Sequence, residues 1–165
     1  MLGRGLPNLG NTCYINSIVQ CLRFSKDLVY PLKTHEESHP LICPLIDLFY
    51  TDAPMQTLYS FIKEINKSKE FQVMRQCDAH EFFLYLIDSL YEVVKTDNVF
   101  KGTFSSTVTC ECGNQSNTKY PFISVSVEMN NETLPVQTLL ERFSSVETLD
   151  TPIDCDRCKT KTKSN

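Results

Sequence analysis

At 165 residues, with 41% hydrophobic and 22% charged side chains, the chain has the size and make-up of one folded domain with a substantial core. No apolar run approaches the ~18 residues of a membrane span, and the N-terminus, MLGRGLPN, lacks the hydrophobic stretch of a secretory signal. A net charge of −4 excludes the basic footprint of a nucleic-acid binder; the basic tail from Arg157 to Lys163 reads as a solvated end.

The first element begins in the run from Gly5 to Leu22, GLPNLGNTCYINSIVQCL. A turn containing Gly10 gives way to a helix whose apolar face is Ile15, Ile18, Val19 and Leu22, spaced i, i+3, i+4 and i+7. Cys13 falls in or just before the first helical turn. Unpaired backbone N–H groups and the positive dipole end there favour an anion, and so favour the thiolate, the reactive form of cysteine. A lone cysteine near a helix start is also a common small core residue, so the position by itself leaves both readings open.

A loop rich in His, Glu, Ser and Pro follows, from Lys33 to Pro40. Leu58, Phe61, Ile62 and Ile65 predict a second helix of about three turns. A third helix carries the strongest signals: Asp78 as N-cap, Glu81 three residues on as in a capping box, then a stripe of Phe82, Phe83, Leu86, Ile87, Leu90 and Val94. Beyond Asn98 the texture turns strand-like. Phe100–Cys110 is rich in Thr, Ser and Val, and Ile123, Val125 and Val127 alternate with polar residues as in a half-buried strand. Val136, Leu139, Leu140 and Phe143 mark a short last helix. The fold class is therefore α+β, a helical part over residues 1–98 and a β-rich part over 99–165.

Eight cysteines without a secretory signal suit an intracellular, reducing setting, cytoplasmic or nuclear, where paired cysteines favour metal binding or catalysis over disulfides. The sequons at Asn66, Asn114 and Asn131 are then chance matches. Cys155-Asp-Arg-Cys158 has the CxxC bite of a zinc ribbon, and Cys110-Glu-Cys112 has one residue fewer between its sulfurs. Cys110, Cys112, Cys155 and Cys158 are the candidate ligands of a structural zinc ion. A knuckle that has lost its metal is the alternative. A nucleic-acid zinc ribbon fits the cysteines but not the charge.

The stretch from Gly5 through Leu22 closely resembles the Cys box of the ubiquitin-specific proteases, a family of papain-like cysteine peptidases. The segment from Gln76 to Phe82, QCDAHEF, resembles the family's second block, with Cys77 in place of its second glutamine. FKGTFSSTVTCECGNQS and TLLERFSSVETLD resemble the fingers segment. The resemblance implies a papain-like thumb followed by zinc-ribbon fingers, with the palm missing. It implies that Cys13 is the nucleophile, that Asn8 holds the oxyanion, and that Asp78 and Glu81 flank the channel for the arginine-bearing tail of ubiquitin. Carboxylates suit that task through paired, charge-assisted hydrogen bonds to guanidinium, while helix capping explains the same two residues without any ligand. The implied partners are ubiquitin and ubiquitinated proteins, with no nucleic acid and no membrane.

A cysteine hydrolase of this type needs a histidine base. In the family that base lies in a downstream segment with no counterpart in residues 1–165, and His35, His39 and His80 read as solvated or packing residues. The expectation is a nucleophile-bearing part of a thiol hydrolase whose thumb face, uncovered by a palm, is apolar and seeks a complementary protease half. A ubiquitin-binding module without cleavage is the competing expectation.

Overall fold

A computed structural model describes residues 5–35, 39–50, 55–71, 75–95, 97–159 and 161–164, so the middle of the predicted 33–40 loop lies outside the described residues. The chain divides into two compact units, Met1–Val99 and Phe100–Asn165.

The first unit is helical: α1 (Cys13–Leu22), α2 (Lys26–Lys33), α3 (Ile42–Tyr50), α4 (Met55–Ile65) and α5 (Ala79–Val94). Helix α5 starts where its sequence says it should. The Asp78 carboxylate accepts from the backbone N–H of His80 at 2.7 Å and of Glu81 at 3.0 Å, satisfying two donors that the first turn leaves unpaired. Lys95, in the left-handed region at φ 52°, ends the helix. Phe82, Leu86, Ile87, Leu90 and Val94 form its buried stripe, and Phe83 is half-buried.

Helix α1 packs against α5 and α3, α3 against α4, and α2 against α3 and α5. The centre is aromatic. Tyr14 meets Phe82 edge-on at 5.3 Å between ring centroids, and Phe71 lies 5.4 Å from Phe82 and 5.0 Å from Tyr85. Fully buried Phe82 is a side chain whose truncation to alanine costs about 3–5 kcal/mol. All four apolar positions expected in α4 are buried. In α1 the buried set is Tyr14, Ile15, Val19 and Leu22, with Ile18 only half-buried, because α5 packs against the side that carries Tyr14.

Helices α2 and α3 carry weaker sequence signals. Helix α2 is one turn either side of its centre, contains Pro31, and buries Leu28, Val29 and Leu32. Helix α3, ICPLIDLFY, is apolar almost all round, which erases the periodicity that marks a surface helix. Its Pro44 sits in the first turn, where no backbone donor is lost.

The second unit holds two antiparallel hairpins and a helix: β1 (Gly102–Thr109), β2 (Gln115–Phe122), α6 (Val136–Phe143), β3 (Leu149–Asp154) and β4 (Lys161–Ser164). Strands β1 and β2 pair from Gly102 with Phe122 to Thr109 with Gln115. The Phe122 ring lies over Gly102, where a Cβ would collide with it, and stacks on Phe104 at 4.0 Å. The strand expected over Ile123, Val125 and Val127 is not formed. Their burial alternates as the pattern predicts, but a ladder needs a partner, and the strands among the described residues are β1 to β4. Helix α6 likewise forms, yet of its apolar face only Leu139 is buried, while Val136, Leu140 and Phe143 are exposed.

The backbone donors of Glu81 and then His80 hold the Asp78 carboxyl below the usual carboxylate range. Its contribution is thus present at neutral pH and is lost as pH falls through the depressed folded-state value. Asp78→Ala is expected to lower Tm by several degrees at pH 7, with the gap from wild type closing in acid; an equal gap at both pH values contradicts this. The Tyr14 hydroxyl is buried without a hydrogen bond of good geometry among the described residues. Burial first, then the neighbouring Cys77 thiol and Cys13, pushes it up from 10.0 to about 12. The unfolded chain therefore ionises first, so stability is full below pH 10 and falls from 10 to about 12. Tyr14→Phe is expected to resist alkaline unfolding better than wild type without losing stability at pH 7, checked by urea midpoints across that window.

Candidate functional site

In the first unit the site is built on a turn that runs directly into α1. Gly10 at φ 92° and Asn11 at φ 52° are left-handed, which reverses the chain just before the helix. Asn8 Oδ1 accepts three hydrogen bonds across this turn: from Gly10 N at 3.1 Å, Thr12 N at 3.2 Å and Thr12 Oγ1 at 3.1 Å. Three donors converging on one atom fix the amide orientation, since the Nδ2 group cannot accept them. The Asn8 oxygen is committed to the turn, and its Nδ2–H donors carry no partner among the described residues.

Thr12 is wholly buried and occupies the N-cap position, but its side chain does not cap the helix. It is turned back into the loop, donating to Asn8 and accepting from Leu9 N at 3.0 Å. The first N–H groups of α1 are therefore left without a side-chain cap beside Cys13, the exposed first residue of the helix. One turn on, Asn16 Nδ2 donates to Pro7 O at 3.0 Å and Leu6 O at 3.4 Å, tying the loop to the helix. Cys13, Asn8 and Gly10 are the residues expected here from the sequence; Thr12 and Asn16 are not among them. Their residue types at i−1 and i+3 from the cysteine do not say which way the side chains turn; the hydrogen bonds to the loop do.

Asp78 and Glu81 line an open groove of about 840 Å³ along α5, with Glu70, Asp88 and Glu92. Five carboxylates face this groove and no lysine or arginine lines it among the described residues, giving a negative potential suited to a cationic ligand. Asp88 and Glu92 were not singled out from sequence. The spacing 78, 81, 85, 88, 92 places Asp78, Glu81, Tyr85, Asp88 and Glu92 along one helix face, which is the legible sign. Cys77 lines the same groove, half-buried next to Tyr14. Of the histidines, His35 Nδ1 contacts Pro31 O at the end of α2, and His39 Nδ1 accepts from Leu41 N before α3. His80 is the second residue of α5 and exposed.

The second unit carries a different centre. Cys110 and Cys112 sit at the tip of the β1–β2 hairpin, a turn closed by Gly113 N to Cys110 O at 2.8 Å and Cys110 N to Asn114 O at 2.9 Å. Cys155 and Cys158 sit in the β3–β4 turn, closed by Lys159 N to Cys155 O at 2.7 Å with Lys159 at φ 52°. The two tips meet. All four sulfurs lie within 4.8 Å of one another, and Cys112 and Cys155 are 3.8 Å apart. Metal–sulfur bonds of about 2.3 Å in a tetrahedron set the sulfurs about 3.8 Å apart. The cluster therefore fits a tetrahedral metal ion held by four thiolates, and the shortened Cys110–Cys112 hook does not prevent it. With the thiols this close, hydrogen bonding with Cys112 first, then burial, pushes Cys158 up to about 12. A bound metal reverses this, because it takes thiolates as ligands.

Residues 4–163 match the ubiquitin carboxyl-terminal hydrolase family. Among relatives, ubiquitin carboxyl-terminal hydrolase 23 of Arabidopsis thaliana is 31% identical over 98% of this chain and 22% of its own length. Hydrolase 25 of the same plant is 31% identical over 94% of this chain and 29% of its own, and ubiquitin carboxyl-terminal hydrolase Usp2 of Drosophila melanogaster is 27% identical over 96% and 22%. The chain thus spans between about a fifth and a third of these relatives. The fold is that of a chain in the SAGA Ubp8/Sgf11/Sus1/Sgf73 DUB module bound to ubiquitin aldehyde, with a TM-score of 0.77 at 22% identity, covering 99% of this chain and 44% of that one. No helix among the described residues is long and apolar enough to cross a membrane. With an exposed cysteine opening a helix behind an asparagine-locked turn, and a match over nearly its whole length, the chain belongs to the ubiquitin carboxyl-terminal hydrolase family.

Proposed function

We propose that the chain is the nucleophile-bearing part of a thiol hydrolase that cleaves the bond after the C-terminal glycine of ubiquitin. The observation that carries this reading is the exposed Cys13 at the uncapped start of α1, beside an Asn8 amide whose oxygen is spent on the turn and whose N–H donors are not. In the reaction the Cys13 thiolate adds to the carbonyl carbon. The developing oxyanion takes hydrogen bonds from Asn8 Nδ2–H and a backbone N–H of the helix start. The acidic groove along α5 receives the cationic tail that precedes the scissile bond, with Asp78 and Glu81 as its first contacts. Turnover also needs a general base, and none of His35, His39 or His80 is assigned that role.

The cluster of Cys110, Cys112, Cys155 and Cys158 is proposed to hold a structural zinc ion, since an all-thiolate set selects soft and borderline metals over magnesium or calcium. The eight free cysteines fit an intracellular, reducing compartment, cytoplasmic or nuclear, and the proposed partners are ubiquitin and ubiquitinated proteins.

A ubiquitin probe with an electrophilic C-terminus is expected to form one adduct, located at Cys13 by peptide mass spectrometry and absent in Cys13→Ala. Asn8→Asp keeps the oxygen that holds the turn and removes the N–H donors; it is expected to slow adduct formation about 10²–10³-fold with little change in Tm. An adduct on another cysteine refutes the nucleophile assignment. Ubiquitin binding that persists in Cys13→Ala, with no adduct in wild type, selects the non-cleaving module instead. Stripping zinc with a chelator is expected to abolish amide-exchange protection across both hairpins while α5 stays protected; unchanged hairpin protection removes the zinc assignment.

A further inference from the structure

The Cys110–Cys112 hook has one residue between its sulfurs, and its turn uses two amide donors, those of Cys110 and Gly113, on carbonyl oxygens rather than on sulfur. Four thiolates around a divalent ion carry negative charge in excess, and charge in a partly buried site is stabilised by hydrogen-bond donors. Cys155 is one of the two buried ligands, 5% exposed. The side-chain amide of Asn114, half-buried two residues past the hook, donates from Nδ2 to Cys155 Sγ at 3.7 Å. This contact crosses from the first hairpin to the ligand pair of the second.

We propose that Asn114 is a positioning residue of the metal centre, whose side-chain N–H···S hydrogen bond orients the Cys155 thiolate and offsets its charge across the two tips. The inference rests on the zinc reading above. Its backbone has a separate duty, accepting from Cys110 N to close the turn, which side-chain substitutions leave in place. Outer-sphere partners of this kind are worth about 10–100-fold in metal affinity. They also lower the electron density on sulfur, which reduces its reactivity and raises the energy of sulfur-to-metal charge transfer.

The test uses the whole 165-residue chain, titrated with zinc in competition with a chromophoric chelator and, separately, saturated with cobalt(II). Asn114→Ala is expected to weaken zinc about tenfold or more. Asn114→Asp, the same size with an anion in place of the donor, is expected to weaken it further. At saturating cobalt the thiolate charge-transfer band is expected to move to lower energy in Asn114→Ala, a readout that does not depend on affinity. Asp behaving like wild type while Ala is weakened means that Asn114 acts by filling space, and overturns the inference. An unshifted band with wild-type affinity in both variants overturns it as well. Wild-type chain that binds neither zinc nor cobalt removes the zinc reading itself, a result distinct from failure of the Asn114 variants alone.

Discussion

The contact between Tyr14 and Phe82 holds the start of α1 against the start of α5, and the geometry of the helical unit depends on it. Tyr14 follows Cys13, and Phe82 lies four residues after Asp78, so one edge-on aromatic pair 5.3 Å apart relates the thiol to the first carboxylate of the groove. Both helices are rigid over such short spans, with a rise of about 1.5 Å per residue, so the placement does not drift. Phe71 and Tyr85 complete the cluster and extend it to the groove wall. This arrangement has a local cost. The Tyr14 hydroxyl and the Asn16 Oδ1 atom are both buried without a hydrogen bond of good geometry among the described residues, and both flank Cys13. Unsatisfied buried polar atoms are few in native structures, and two fall here within one helical turn.

The turn before α1 makes the same trade. A threonine at the N-cap normally turns its hydroxyl onto the helix and contributes about 1 kcal/mol. Thr12 instead binds Leu9 N and Asn8 Oδ1, stiffening the loop and leaving the helix N–H groups open. A capped α1 is the more stable helix, but its first donors are then satisfied internally. The uncapped one leaves them without a side-chain partner beside Cys13. Asn16 compensates from within the helix by holding Leu6 and Pro7.

Legibility followed the strength of local signals. Helices α4 and α5 were readable because apolar spacing and, at Asp78, cap chemistry agree with the final structure. Helices α2 and α3 were not: Pro31 and short length hide the first, and the second is apolar on nearly every side, so period gives no direction. The alternation at Ile123, Val125 and Val127 reports half-burial truthfully, yet burial alone does not make a ladder. Among the candidate site residues, Cys13, Asp78 and Glu81 were singled out by position and by resemblance, Asn8 by resemblance alone, and Gly10 by its conformation. Thr12 and Asn16 were not, because which way a polar side chain turns is decided by the loop and not by its identity. Asp88 and Glu92 share the helix face of Asp78 and Glu81 and are marked by that spacing, whereas Glu70 joins the groove from outside α5, a placement that only the fold reveals.

The second unit raises the question of what holds it together. Among those of its residues whose burial is described, which leave out much of β3 and all of β4, Cys110, Leu139 and Cys155 are the buried ones, and β2 is exposed along all but its last residue. Two of those three are thiols of the cluster. The Phe104–Phe122 stack and the nearby Phe143 ring, 5.5 Å from Phe104, add apolar contact at the far end of the β1–β2 hairpin from the cysteines. A two-stranded hairpin is marginal in water by itself, and a small unit without a core needs a staple. On the zinc reading, ligation supplies that staple, because a site that does not preexist in the unfolded chain turns binding energy into folding energy. The position of the ligands follows from this: each pair lies at a hairpin tip, where one ion closes both turns at once. The shortened hook is tolerable for the same reason. The meeting of two tips, rather than the bite of either pair, sets the four sulfurs, so a missing residue in one turn is absorbed by the approach of the other.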